Sequence, residues 1–169
     1  MIRLAPLEWE HWREYRTWVN DAEIAHLTDR YLPVSEFQHK EFYAKMQSDR
    51  SKIFFSILGS KDSFIGVCAL KNIDAKNRKA EFYICLNGEK NRGKGYGVIA
   101  TKACLDYAFN TLNLNRVYLY TPEYNKKAID CYQKVGFKQE GRSIQSIYSQ
   151  GNYFDSIHMY YLKSFAKRK

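Results

Sequence analysis

The sequence predicts a mixed α/β fold of the α+β type, a mostly antiparallel central sheet of about seven strands flanked by about four helices. Strand-like runs follow one another in mid-chain and read as an antiparallel meander. Helical periodicity occurs before and after them without strict βαβ alternation. The 169 residues are 45% hydrophobic, enough for one core of ordinary proportions. No low-complexity stretch, internal repeat or Pro/Gly/Ser-rich linker interrupts the chain, so residues 1–169 read as a single domain.

In chain order, Ile2 to Ala5 is a short opening strand, and Glu8 to Val19 places Trp9, Trp12 and Val19 at helical spacing with Tyr15 and Trp18 near the edge. A second helix starts at Ser35, where Ser35-Glu36-Phe37-Gln38 matches a capping box, and runs to Gln47 with Phe37, Phe42 or Tyr43, and Met46 apolar. The meander strands are Lys52 to Leu58, Ser63 to Leu70 and Lys79 to Leu86, rich in Phe, Ile, Val and Tyr. Apolar or small residues at Val98, Thr101, Leu105, Ala108 and Leu112 mark a third helix from Gly97 to Leu112. Asn115 to Tyr120 is a strand and Asn125 to Val135 a fourth helix, and Phe137 to Glu140 and Phe154 to Leu162 close the sheet.

Composition narrows the function classes. No run of about 18 apolar residues is long enough to span a bilayer, and the start lacks a basic segment followed by an apolar signal core, so a cytoplasmic protein with no membrane partner is expected. Cys68, Cys85, Cys104 and Cys131 are widely spaced, with no Cys-x-x-Cys pair or neighbouring histidine; reduced, mostly buried thiols are expected, and no metal. The net charge of +9 favours an anionic partner without choosing among nucleic acid, membrane surface and phosphorylated small molecule. The basic end from Lys163 to Lys169 reads as a solvated tail. A basic RNA-binding module requires aromatics gathered on one sheet face. Here they spread through helices and strands alike, so nucleic acid is not the expected partner.

Chemistry concentrates in two segments. Leu86-Asn87-Gly88-Glu89-Lys90-Asn91-Arg92-Gly93-Lys94-Gly95-Tyr96-Gly97 joins a predicted strand to a predicted helix through alternating glycines. Glycine lets backbone amides approach a ligand, and a helix start offers unpaired N–H groups and the positive end of the dipole, a setting suited to a phosphate or pyrophosphate. The frame is neither a Walker loop, since Gly95 follows Lys94, nor a dinucleotide fingerprint, since Gly93-x-Gly95-x-Gly97 has the wrong spacing. The second segment runs from Asn125, a plausible N-cap, to Gly136, a plausible C-cap. Asn125 and Tyr132 lie nearly two turns apart on one helix face, where both can touch one extended ligand or Tyr132 can simply pack with Ala128, Cys131 and Val135.

These segments, in this order, resemble over essentially the whole chain the GNAT superfamily of acetyl-coenzyme A-dependent N-acetyltransferases. Arg92-Gly93-Lys94-Gly95-Tyr96-Gly97 fits the family's pyrophosphate-binding signature, and Asn125, Ala128, Tyr132 and Gly136-Phe137 fit its later pattern. The resemblance implies that acetyl-CoA is the co-substrate, that Asn125 contacts it and that Tyr132 lies beside its sulfur. It also implies that the fourth strand, Glu81 to Leu86, splays from the fifth and lends backbone groups at Ile84, Cys85 and Leu86 to the pantetheine arm, with Asn87 and Gly88 opening the pyrophosphate loop. Trp18, Asn20 and Asp21, with Gly151 to Asp155 before Met159, are similar to the branch holding ribosomal-protein N-terminal and spermidine acetyltransferases. Enzymes acetylating nucleotide-linked amino sugars are similar too, so the acceptor is a small-molecule or peptide amine left open at this stage. Relatives often dimerise, which makes a homodimer an open expectation.

The expected reaction is direct attack of a neutral amine on the thioester, with no covalent enzyme intermediate. Tyr132 is the expected acid for the departing thiolate. Glu81, on the strand face with Tyr83 and Cys85, is the candidate base or acceptor-orienting carboxylate. Glu23, Glu36, Glu41 and Asp155 are alternatives for lining an acceptor pocket, and a water chain is the alternative base. Cys131, with no histidine near in sequence, is a poor candidate nucleophile.

Overall fold

Alternation along the strand Lys79–Leu86 decides how the layers form, and it holds in the computed structural model, which describes residues 2–91 and 93–166. Ala80 and Phe82 enter one hydrophobic cluster, Cys85 a second on the opposite face, with Tyr83 packed against it. A sheet apolar on both faces needs cover on both. In chain order the elements are β1 (Arg3–Pro6), α1 (Trp9–Val19), α2 (Ala22–Leu27), α3 (Glu36–Ser48), β2 (Ile53–Leu58), β3 (Phe64–Asp74), β4 (Lys79–Leu86), α4 (Gly88–Asn91), α5 (Tyr96–Asp106), β5 (Arg116–Pro122), α6 (Lys126–Val135), β6 (Lys138–Ser149), β7 (Asn152–Leu162) and α7 (Lys163–Ala166). The seven strands form one sheet in the order β1-β2-β3-β4-β5-β7-β6, antiparallel except for the parallel pair β4 and β5.

The larger cluster joins the sheet to α5 and α6 through Cys104, Leu105, Tyr132 and Val135. The smaller one packs Trp12, Tyr15, Trp18, Ile24 and Met46 of α1, α2 and α3 against Val67 and Cys85. Tyr15 and Trp18, expected near the edge of the first helix, are inside: Tyr15 is 1% exposed. Phe37 and Phe42 are exposed, and α3 buries His39 instead. Trp12 Nε1 donates to the His39 carbonyl at 3.0 Å, while His39 Nε2 lies 2.6 Å from the Trp12 carbonyl, which can only accept and so fixes that nitrogen as the donor.

Several elements differ from the sequence expectation. The short helices α2, α4 and α7 were not foreseen, and the third helix divides into α5 and a π-helical segment, Tyr107–Thr111. Strand β6 runs on to Ser149, because register shifts between Gln139 and Gly141 and between Ser143 and Ile147 break the two-residue alternation by which a strand is read. The capping box at Ser35 is present, with Gln38 N donating to Ser35 Oγ and Ser35 N to Gln38 Oε1. Lys163, the start of the supposed solvated tail, donates from Nζ to the Phe109 carbonyl at 2.7 Å; residues 167–169 lie outside the described residues. Cys68, Cys85 and Cys104 are buried thiols and Cys131 a half-buried one. Among the described residues no helix is long and apolar enough to cross a membrane.

Candidate active site

The parallel ladder between β4 and β5 is short: it pairs Lys79 with Arg116, Ala80 with Val117 and Glu81 with Tyr118. Past that rung β4 stays paired with β3 as far as Leu86, while β5 follows β7 to Pro122. The strands diverge, and the edge of β4 carrying Ile84, Cys85 and Leu86 faces a cavity of about 1330 Å³ instead of a neighbouring strand. Among the described residues no strand pairs with β4 on that side beyond Glu81, so the cleft gives a ligand or water access to its edge.

Helix α5 points its N-terminus into this cleft. Gly93 (φ 74°) and Gly95 (φ 76°) take the left-handed conformation that suits glycine, and a Cβ added to either meets nothing within 4 Å. The first intrahelical bond at this end is Ile99 N to Gly95 O, so the amides of Tyr96, Gly97 and Val98 have no partner in their own helix. Gly97 has a different task, since its Cβ would stand 3.2 Å from Cys131 Sγ, so its smallness lets α5 lie against α6. Gly93, Gly95, Tyr96 and Gly97 line the cleft; Lys94 reaches back over the Tyr96 ring at 6.0 Å, and Arg92 lies outside the described residues. Gly88 starts α4 and Asn87, just before it, donates from N to Ile65 O; both line a smaller cavity of about 310 Å³ instead.

Helix α6 supplies the opposite wall. Asn125 caps it, accepting from Ala128 N at 3.3 Å, and donates through Nδ2 to the Leu27 carbonyl at 3.2 Å. Asn125, Ala128 and Tyr132 all line the cleft. Tyr132 is 7% exposed and packed edge-on to Phe82, 6.3 Å between centroids; among the described residues none hydrogen-bonds its hydroxyl. Burial, reinforced by Cys131, Tyr83 and Cys85 nearby, raises its pKa well above the usual tyrosine value. At neutral pH it therefore keeps its proton. Burial likewise pushes up the Cys131 thiol, partly opposed by Lys134, which disfavours the thiolate a nucleophile needs.

The third wall, unforeseen in the sequence, is α2 with the loop after it, which brings Glu23, Ile24, Leu27, Asp29 and Arg30 to the cleft. Its one local signal is Asp21, whose side chain accepts from Ile24 N as an N-cap. Six residues without a repeated apolar period do not announce a helix. Tyr124 locks it in place: its ring stacks on His26 at 4.2 Å and its hydroxyl donates to the His26 carbonyl at 2.8 Å.

Glu81 lines the cleft at the last β4–β5 rung, with both carboxylate oxygens engaged: Lys71 Nζ is 2.8 Å from Oε1, and Asn72 Nδ2 donates to Oε2 at 2.8 Å. Of the alternative acids only Glu23 reaches the cleft. Glu36 pairs with Lys40 on the exposed face of α3, and Glu41 is exposed on the same helix. Asp155 is buried between β6 and the β5–α6 turn, where it binds Arg142 and accepts from Gln145 N, so its role is architectural.

The Acetyltransferase (GNAT) domain family matches residues 2–138, and the chain belongs to that family. Spermidine N(1)-acetyltransferase of Escherichia coli K12 is 33% identical over 162 residues, 94% of this chain and 84% of that one. The Vibrio cholerae spermidine N(1)-acetyltransferase is 34% identical over 125 residues, 74% of this chain and 72% of that one. Among solved structures, the Vibrio cholerae spermidine N-acetyltransferase in complex with CoA and spermine superposes with a TM-score of 0.90 at 30% identity, covering 96% of each chain. The chain is an N-acetyltransferase that draws its acetyl group from acetyl-CoA. Its residues fit that co-substrate: a long cleft, a strand edge with no neighbouring strand among the described residues, glycines with open space above them and helix amides without a partner in their own helix.

Proposed function

We propose that the enzyme acetylates a primary amine of a polyamine, with spermidine the first candidate, by direct attack within a ternary complex. The observation that carries this reading is the division of one cleft: α5 amides without a partner in their own helix at one wall, the buried Tyr132 phenol, and Glu23, Asp29 and Glu81, beside Arg30 and Lys71, at the α2, β3 and β4 walls. The names of the relatives support the same acceptor class.

Acetyl-CoA supplies an acyl group already activated as a thioester. In this reading the amides of Tyr96, Gly97 and Val98 hold the pyrophosphate, each such bond to a charged acceptor contributing about 1.5–3 kcal/mol. The edge of β4 beyond Glu81 holds the pantetheine arm, and Asn125 and Ala128 keep α6 at the distance the arm requires. Tyr132 returns a proton to the departing sulfur, for which its high pKa keeps it charged with that proton. Glu81 orients the acceptor, and water carries the proton away, because both carboxylate oxygens are already engaged by Lys71 and Asn72. A polyamine amine near pKa 10.4 is only about one part in 10³ neutral at pH 7.4, roughly 4 kcal/mol of barrier that orientation and deprotonation must offset. On the exposed pair Tyr148 and Tyr153 at the β6–β7 tip we also propose a homodimer contact.

The test is thiol release from acetyl-CoA with spermidine, an amino sugar, a nucleotide-linked amino sugar and an N-terminal peptide, for wild type and Tyr132→Phe. Spermidine is expected to give the highest kcat/KM, and Tyr132→Phe to lower kcat by about 10²-fold or more with the acetyl-CoA KM held within a few-fold. A peptide preferred over spermidine would move the acceptor to the ribosomal-protein branch.

A further inference from the structure

The carboxylate best placed to meet the acceptor is already occupied. Lys71 and Glu81 are cross-strand partners on β3 and β4, and Lys71 Nζ stands 2.8 Å from Glu81 Oε1 and 5.2 Å from the centroid of the Tyr83 ring. A carboxylate and an aromatic face converging on one nitrogen is how a protein holds an ammonium ion. Consecutive strand residues normally point to opposite faces. Here the left-handed Asn72 (φ 50°), at the register shift between Lys71 and Asp74, turns two neighbours onto the same carboxylate. Lys71, Glu81 and Tyr83 all line the cleft, on the side of the sheet covered by α1 and α2.

We propose that Lys71 is an internal occupant of the acceptor's ammonium subsite and that its displacement sets the enzyme's selectivity among cationic amines. The proposal rests on the reading of the acceptor as an alkylammonium. A primary ammonium entering the cleft meets the same carboxylate and the same ring that hold Lys71, so the affinity measured for it is the difference between two similar contacts. The lysine side chain is 29% exposed and sits on a flexible four-carbon stem, so it can turn to solvent as the acceptor enters. An arginine at this position would hold the carboxylate more firmly, through two parallel hydrogen bonds.

The experiment is calorimetric titration of spermidine into the CoA-bound full chain, for wild type, Lys71→Met, Lys71→Arg and Lys71→Met with Glu81→Gln. Lys71→Met keeps the apolar stem and removes the competing charge. Its spermidine Kd is expected to fall about threefold to tenfold, the range for partly exposed ammonium contacts. Lys71→Arg is expected to bind spermidine no tighter than wild type, which keeps the proposal testable if Lys71→Met does not fold. In the double variant the gain is expected to vanish, because the freed carboxylate is gone. Unchanged or weaker binding by Lys71→Met, tighter binding by Lys71→Arg, or a gain that persists with Glu81→Gln would overturn the proposal. A Kd that shifts as expected in an enzyme that does not turn over spermidine would contradict the acceptor reading alone.

Discussion

At the scale of single residues, burial sets the protonation of the groups that matter. The spacing of Tyr132 to Asn125 left a packing role open, and only the family resemblance singled it out as a candidate; its protonation state was not legible at all, because it depends on burial among Phe82, Cys85 and Tyr83 from a distant strand. His39 makes the same point for stability. Burial lowers its pKa below the ordinary histidine value, with Arg16 and Arg30 adding to the effect and the bond to the Trp12 carbonyl opposing it. The unfolded chain therefore binds a proton before the folded one does, and stability rises with pH across the window below about 6.5. Melting temperature is expected to drop by a few degrees as pH falls from 7.5 to 5.5, and less so in His39→Gln. Scanning calorimetry of the two proteins across that range checks it; a parallel decline would place the loss elsewhere.

At the scale of elements, the alternating glycines divide into two kinds that the sequence presents alike. Gly95 is required for its backbone, having φ 76° with open space above it, whereas Gly97 is required for its size, 3.2 Å of room before Cys131 Sγ. Gly95→Ala is expected to raise the acetyl-CoA KM about tenfold or more, since the left-handed turn that aims the α5 amides is strained by about 1–2 kcal/mol. Gly97→Ala is expected chiefly to destabilise, by about 1–3 kcal/mol, as α5 is pushed from α6. Thermal melts beside steady-state kinetics separate the two, and equal behaviour would contradict the division. The wall formed by α2 shows where sequence reading stops. Its position comes from Tyr124 and Asn125, about a hundred residues further along, bonding to the carbonyls of His26 and Leu27. No local pattern encodes such a contact. Strand β6 was half-read for a related reason, its bulges erasing the period that identifies a strand.

At the scale of the whole molecule, the meander β2-β3-β4 was legible in the residues and the divergence of β4 from β5 was an implication of the family resemblance, whereas the order β5-β7-β6 depends on long-range pairing that no local pattern announces. The excess of positive charge suits a polyanionic co-substrate. A cationic acceptor meets acids and bases together along the cleft, Glu23, Asp29 and Glu81 beside Arg30 and Lys71. In the proposed reaction both substrates occupy this one cleft together and react without an acyl-enzyme. Initial velocities with acetyl-CoA and spermidine varied against each other test it most directly. The predicted result is a family of intersecting reciprocal lines with acetylspermidine as product; parallel lines, or no thiol release above the hydrolysis blank, would contradict it.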